Sequence, residues 1–167
     1  MKKNLLFWQL GALTFSAVLG TLLHFLYDWT GLNIFKPISA VNESTWEHMK
    51  LLFFPAFIFS FIQQKASTDK NEFWLVKLIG TICGLILIPV LFYTYNGAFG
   101  KSPDILNVAI FFIALFFEYF IEFILFKYSI LKPKSHGLAL GVLIVIAVAF
   151  VIFTYSPPNL PLFISPV

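Results

Sequence analysis

The chain has 167 residues, of which 59% are hydrophobic and 11% are charged, and its formal net charge is +3. So few charged side chains leave too little polar surface to cover a water-soluble globule, which argues against an ordinary soluble enzyme or binding domain. The eleven basic residues are clustered in short segments between apolar runs. This pattern is typical of membrane topology, so we expect a membrane protein with membrane lipid, and no nucleic acid, as its partner.

Five apolar segments predict transmembrane helices, because about 20 apolar residues cross roughly 30 Å of hydrocarbon as a helix. No internal repeat or low-complexity tract separates them. We therefore predict an all-α fold, a polytopic membrane protein whose five-transmembrane-helix bundle forms a single domain over residues 1–167. The first segment lacks a signal-peptide cleavage site and is interpreted as a retained span. The predicted spans are residues 5–26, 44–63, 73–95, 105–126 and 137–155.

The second span is the shortest and becomes long enough only if its helix begins near Ser44. Asn42 is a possible N-cap. Ser44 and Glu47 have the spacing of a capping box, in which each side chain accepts a backbone N–H of the other residue. We therefore predict a helix with a polar first turn that begins at the membrane interface.

The lysines predict the orientation of the chain. If the five spans alternate in direction, most lysines fall on one side, and positively charged loops remain in the cytoplasm. The N-terminus is therefore predicted to be inside and the C-terminus outside. The lysines on the predicted inner side are Lys2, Lys3, Lys65, Lys70, Lys127, Lys132 and Lys134.

Titratable residues gather where the first span ends and the second begins. His24 and Asp28 are four residues apart, so they share a helical face if the first helix continues that far. By the same rule, Glu43, Glu47 and Lys50 share a face of the next helix. These residues could therefore meet at the outer mouth of the bundle.

The residue types in this cluster suit general acid–base chemistry. In an enzymatic version of this hypothesis, Glu47 or His48 is the general base and Lys50 holds an anionic group such as phosphate. Asp28 would then orient His24. The sequence does not decide whether the protein is an enzyme. The predicted ligand-binding residues are His24, Asp28, Asn42, Glu43, Trp46, Lys50 and Glu118.

Two alternatives to a catalytic or ligand site remain open for the same cluster. Glu47 and Lys50 could form a structural pair at the start of a helix, where the helix dipole favours an acidic residue. The residue types also suit a hard or borderline metal ion. However, Glu47 and His48 are adjacent and fit no known metal-binding spacing. We therefore assign no metal ligand and no cofactor.

The fourth span carries two acidic residues at positions where charge is costly in a membrane. Glu122 and Lys77 of the third span lie at similar depth, so we predict that they form a structural ion pair. Glu118 has no basic residue at its own depth. It is a neutral carboxyl group bonded within the bundle, a ligand contact, or part of a proton or cation relay.

Small residues predict close helix packing at two places. Gly80 and Gly84 lie around Lys77 on the third span, and Gly137-x-x-x-Gly141 begins the fifth. Glycines spaced in this way let two helix backbones approach closely. The second pattern also occurs frequently without such a contact.

Two motifs resemble the signature of a family of uncharacterised small multi-pass bacterial membrane proteins. One is I-S-A-V-N-E-S-T-W-E-H-M-K at residues 38–50, and the other is P-P-N-L-P-L-F at residues 157–163. His24 with Tyr27 is similar to the end of the family's first span. The resemblance implies a bacterial cytoplasmic membrane protein and supplies no reaction. The residues that match the signature are Asn42, Glu43, Trp46, Glu47, His48 and Lys50.

Three functional hypotheses follow from these observations. The first is a pocket open to the outer leaflet, walled by spans one, two and four, that binds a lipid head group or small polar ligand and acts on it in an enzymatic version. The second is a small transporter or carrier subunit that uses Glu118 and Glu122 as a proton or cation relay. The third is an assembly partner whose outer loop and proline-rich tail dock an unidentified membrane protein.

Overall fold

The computed structural model describes residues 4–100, 103–131 and 137–165. Within these ranges the chain forms five α-helices and no strand, which confirms the all-helical class. The lysines at positions 2, 3, 101, 132 and 134 lie outside the described residues. The helices are α1 (Leu5–Thr30), α2 (Thr45–Gln63), α3 (Lys70–Phe99), α4 (Asp104–Tyr128) and α5 (Leu138–Tyr155). Short 3-10 turns lie at Asn33–Phe35, Gln64–Ala66 and Pro161–Phe163.

Helices α1 and α3 are longer than predicted, because their polar ends were not counted as part of the apolar spans. Helix α1 continues to Thr30 and ends at Gly31, which has a φ of 64° and donates its N–H to the Tyr27 carbonyl oxygen at 2.8 Å. A left-handed glycine at this position is a common helix end. At the start of α3, the Asp69 carboxylate accepts backbone N–H groups from the first helical turn.

The first turn of α2 departs from the predicted capping box. Ser44, not Asn42, is the N-cap, and its Oγ accepts the Glu47 N–H at 3.4 Å. The Asn42 side chain accepts the Ser44 N–H at 2.8 Å. In a capping box, the Glu47 carboxylate would accept this same N–H. The Glu47 carboxylate instead accepts the Val41 N–H at 2.9 Å. The loop before α2 is therefore bonded to the first turn of the helix.

Helix α2 is the central helix of the bundle and packs against all four others. Leu51, Leu52 and Phe53 in its middle are all at least 98% buried. Gln63 at its end donates from Nε2 to the Oε1 of Gln9 near the start of α1, at 3.4 Å. Helices α1 and α2 are therefore antiparallel, and the start of α2 lies at the end of the bundle where α1 finishes.

The outer surface of the bundle is strongly apolar. Helices α1, α3, α4 and α5 are each long and apolar enough to cross a membrane, whereas α2 is not among them by that measure. Large apolar side chains face outward, including Phe7, Phe116 and Val145, which are 71%, 61% and 66% exposed. Charged residues such as Lys77 and Glu122 are buried instead. Apolar groups outside and charges inside indicate a membrane protein.

The glycines of α3 lie where α3 and α4 make contact. A Cβ atom added at Gly80 would lie 2.5 Å from Cγ of Glu122, and one added at Gly84 would lie 3.1 Å from Cβ of Glu118. At Gly141 of α5, a Cβ atom would meet nothing within 4 Å. The predicted close packing is therefore present at α3 and absent, within the described residues, at the Gly137-x-x-x-Gly141 pattern.

We predict that Gly80→Ala lowers the stability of the protein by about 1–3 kcal/mol, because the added methyl group overlaps the Glu122 side chain. Thermal unfolding of the purified protein in mild detergent measures this loss as a lower Tm. Gly141→Ala is the matched control and should leave Tm unchanged or raise it, since alanine favours a helix by about 1 kcal/mol over glycine. Equal Tm values for the two variants would contradict the prediction.

Candidate functional site

A cleft of about 620 Å³ lies at the end of the bundle where α1 finishes and α2 begins. It is lined mainly by α1, α2 and α4, with one residue from α3. Most of the polar side chains lie near the end of the bundle, with Thr21 about one turn deeper than His24. The aromatic residues of α4 lie about one turn deeper than Asn107, and Phe25 lies beside His24. The polar lining residues include His24, Asp28, Glu43, His48, Asn96 and Asn107, and the apolar ones include Phe25, Leu51, Val108, Phe111 and Phe112.

Three of the predicted residues form a compact cluster at the polar end of this cleft. His48 Nε2 lies 3.5 Å from Oε2 of Glu43, and His24 Nε2 lies 4.0 Å from the same oxygen. The two imidazole rings meet edge to face, with their centroids 5.3 Å apart. Helix α1, the loop and α2 each contribute one member. We call His24, Glu43 and His48 the His–Glu–His cluster.

The surroundings of the two imidazoles fix how they face Glu43. Nδ1 of His48 lies 2.9 Å from the carbonyl oxygen of Ser44, which can only accept, so Nδ1 carries the proton. Neutral His48 then has its lone pair on Nε2, the nitrogen nearest Glu43. The His24 ring stacks on Phe25 with centroids 4.8 Å apart. His24 Nδ1 is buried and has no hydrogen-bond partner among the described residues.

Asp28 lies on the same face of α1 as His24 but does not hold its ring. Its exposed side chain lines the cleft, and no hydrogen bond joins it to His24 within the described part of the chain. The predicted role of Asp28 in orienting His24 is therefore not supported by a contact among the described residues. Asn96 is a lining residue that the sequence analysis missed. Its position after the apolar run of the third span was the available signal.

Glu47 and Lys50 lie away from the cleft, although both were predicted site residues. Lys50 Nζ lies 2.7 Å from Oε2 of Glu47, 2.8 Å from the Lys36 carbonyl oxygen and 2.9 Å from Oγ1 of Thr154. These three acceptors use all three N–H groups, so the ammonium has no donor left for an anionic ligand. Glu47 and Lys50 thus form the structural pair that the sequence offered as an alternative to a ligand site. We call Glu47, Lys50, Lys36 and Thr154 the Lys50 anchor.

Helical periodicity explains why Glu47 and His48 separate. Consecutive residues of an α-helix point about 100° apart, so adjacent side chains reach different neighbours. Glu47 and Lys50 face α5, where Thr154 lies, and His48 faces His24 of α1. Glu47 does not line the cleft, so the catalytic role predicted for it has no support in this geometry. His48 does line the cleft, so its predicted role stays a prediction.

Trp46 and the C-terminal tail also pack away from the cleft. The Trp46 ring lies 4.5 Å from that of Phe150 and 4.7 Å from that of Phe163, between ring centroids. The turn Pro161–Phe163 is therefore docked on α2 of its own chain. Trp46 acts here in packing and Asn42 in shaping the loop. The ligand contacts predicted for these two residues, and tail docking on another protein, have no support in these contacts.

A second polar group lies inside the bundle between α3 and α4. Lys77 Nζ lies 2.7 and 2.8 Å from the two carboxylate oxygens of Glu122, so the predicted ion pair is present. Glu118 accepts a hydrogen bond from Oγ1 of Thr81 at 2.8 Å. Its Oε2 is buried and has no hydrogen-bond partner among the described residues. We call Lys77, Thr81, Glu118 and Glu122 the interior cluster.

Comparison with known proteins places the chain in a family but assigns no activity. The chain belongs to a family of unknown function, DUF6512, whose family model matches residues 1–167. No curated protein matches the chain significantly, and no solved structure does.

We predict that Lys50→Met destabilises the protein by about 3–5 kcal/mol, because it leaves the Glu47 carboxylate buried without its cation. The double variant Lys50→Met/Glu47→Gln should regain part of this loss, since it removes the unpaired charge. Thermal unfolding in mild detergent measures both effects.

Lys36→Met is the control for this anchor, because it removes a lysine side chain but keeps the carbonyl oxygen that Lys50 contacts. Its Tm should stay near that of the wild type. A Lys50→Met variant as stable as Lys36→Met would show that the anchor does not stabilise the fold.

Proposed function

We propose that this protein binds an amphiphilic ligand in the cleft. Its polar head group would lie at the His–Glu–His cluster, and its apolar chain would lie against Phe111 and Phe112 of α4. The observation that carries the proposal is the mixed lining of the cleft, in which most polar side chains lie near the end of the bundle and Leu51, Phe111 and Phe112 lie deeper. Its volume of about 620 Å³ lies within the range of small-molecule sites, roughly 300–1,000 Å³. A lipid or lipid-linked molecule has this combination of surfaces.

We further propose that all five helices cross the membrane, with the N-terminus in the cytoplasm. Helix α1 ends at the cleft end of the bundle and α3 begins at the opposite end, so α2 must carry the chain back between them. It contacts all four other helices, and Thr45 and Glu47 in its polar first turn are buried. The lysine distribution supports the orientation and puts the cleft at the outer leaflet.

The lining of the cleft limits how a head group is recognised. Lys50 is turned away, and no lysine is among the described lining residues. Recognition therefore falls to imidazole, amide and carboxylate groups, which form hydrogen bonds with hydroxyl or amine groups. A catalytic version of the proposal relies on His48, because its Nε2 can accept a proton at the cleft.

We predict that Val108→Trp lowers the amount of retained amphiphile about tenfold, because the larger side chain narrows the cleft of roughly 620 Å³ beside the α4 aromatic residues. Val108 lines the cleft and is 47% exposed. Native mass spectrometry of the protein purified in mild detergent would measure the bound fraction. Val148→Trp is the matched control, since Val148 is 50% exposed on α5 and lies outside the cleft lining. Equal retention in both variants would count against the cleft as the binding site.

The interior cluster supports a second candidate function, a proton or cation relay. Glu118 and Glu122 are both fully buried, and Lys77 is the one ammonium group within this cluster. Two carboxylates and one ammonium leave a negative charge that a bound proton or cation would balance. Oε2 of Glu118, which has no hydrogen-bond partner in the described part of the chain, is the atom available to hold it.

We predict for this second candidate that Glu118→Gln abolishes proton flux through the reconstituted protein, because the amide cannot take up and release a proton. The measurement uses proteoliposomes with an internal pH-sensitive dye and an imposed pH gradient. Glu72→Gln, the same chemical change at the start of α3, should retain the flux. Absence of flux with well-folded wild-type protein would rule the relay out.

A further inference from the structure

We propose that the His–Glu–His cluster is a binding site for a divalent transition-metal ion of the zinc type. The proposal deepens the proposed function, because the metal would lie at the polar end of the same cleft. We assigned no metal ligand from the sequence, because Glu47 and His48 are adjacent and fit no metal-binding spacing. His24, Glu43 and His48 come from separate segments and match no spacing motif either. Their convergence exists only in the folded chain.

The donor atoms converge on one point, at separations somewhat wider than those of an occupied zinc site. A tetrahedral zinc ion with bonds of about 2.1 Å holds its donors roughly 3.4 Å apart. The Glu43 oxygen is 3.5 Å from Nε2 of His48 and 4.0 Å from Nε2 of His24, and one donor atom from each residue lies within 4.8 Å of the others. Glu43 is on a loop and 63% exposed, so its side chain has room to move, and the two histidine side chains would also have to turn inward to share one ion.

The hydrogen bond of His48 is the arrangement that metal-bound histidines usually have. A histidine that binds a metal through one ring nitrogen donates its other N–H to a carbonyl or carboxylate, which fixes the ring. Here Nδ1 of His48 donates to the Ser44 carbonyl oxygen at 2.9 Å. Nε2 is left as an oriented lone pair directed toward Glu43. This bond is independent of the cluster distances and indicates the same metal-facing atom.

All three members of the cluster line the large cleft, which leaves room for a fourth ligand beside them. A separate small void of about 20 Å³ lies against Glu43 and His48 and is also lined by Thr45, Asn107 and apolar groups. This volume is enough for one water molecule. Three protein ligands with an open fourth position are the arrangement of catalytic zinc sites, whereas structural sites usually have four protein ligands.

The donor set indicates the kind of metal and the kind of head group. Two imidazoles and one carboxylate suit zinc and its neighbours, while magnesium and calcium prefer oxygen ligands alone. A bound divalent ion would supply the positive charge that the described cleft lining lacks. The metal-loaded cleft would therefore take an anionic head group, such as a phosphate or carboxylate, on the open coordination position.

The first test is calorimetric titration of zinc into the full chain, purified in mild detergent and stripped of metal with a chelator. We expect one zinc ion per chain. The zinc affinity should fall by at least about 100-fold in His24→Ala and His48→Ala, since loss of an outer-shell partner alone costs 10–100-fold. Wild-type protein loaded with Co²⁺ should show the intense visible absorption of a four-coordinate ion.

Glu43→Gln keeps the test decisive if a histidine variant folds poorly, because Glu43 is on an exposed loop. It should also weaken zinc binding, whereas Glu72→Gln at the start of α3 should bind as the wild type does. Weak binding of several ions, or affinity unchanged in all three cluster variants, would overturn the metal site.

A second experiment separates this inference from the proposed function. Retention of dodecyl phosphate and of dodecanol is compared by native mass spectrometry with and without zinc. Zinc should increase retention of the phosphate and leave that of the alcohol unchanged. Zinc-independent retention of both, abolished by Val108→Trp, would keep the amphiphile cleft and remove the metal's role. Zinc binding without retention of either would keep the metal site and remove the amphiphile function.

Discussion

The buried ammonium group of Lys50 is the constraint on which the shape of the cleft end depends. An ammonium group taken out of water is costly unless each N–H finds an acceptor. Lys50 meets this requirement with Glu47 on its own helix, the Lys36 carbonyl oxygen in the loop and Thr154 on α5. One side chain thereby joins the central helix, the loop that precedes it and the last helix.

The position of Glu43 follows from the same set of bonds. The loop is held to α2 through the Val41 N–H on Glu47, and to α1 through Ser39, whose hydroxyl bonds the Leu23 carbonyl oxygen and the Tyr27 N–H. Glu43 lies between Val41 and the first turn of α2, where it is beside both histidines. The Lys50 anchor thus holds the loop that carries Glu43, and it does so without lining the cleft. This explains how a structural pair and a candidate site can share one short segment.

The two candidate sites found among the described residues differ in access. The His–Glu–His cluster opens into a large cleft at one end, whereas the interior cluster is enclosed between α3 and α4. Close approach at Gly80 and Gly84 packs these two helices against the carboxylates and leaves no room for a large ligand. The cleft therefore suits a molecule with an apolar chain, and the interior cluster suits at most a proton or a small cation.

The sequence by itself determined the all-helical class, the approximate positions of the five helices and the Lys77–Glu122 pair. These follow from the length needed to cross hydrocarbon and from the depth of each residue along antiparallel helices, both of which can be counted along the chain. Only the tertiary structure decided that His48 faces the cleft and its neighbour Glu47 does not. That choice depends on the rotation of α2 about its axis, and the first half of α2, which has no exposed residue over 45–56, has no single apolar face to reveal it. The meeting of His24, Glu43 and His48 likewise required the loop to close, because contacts between distant segments arise from packing and leave no spacing pattern in the sequence.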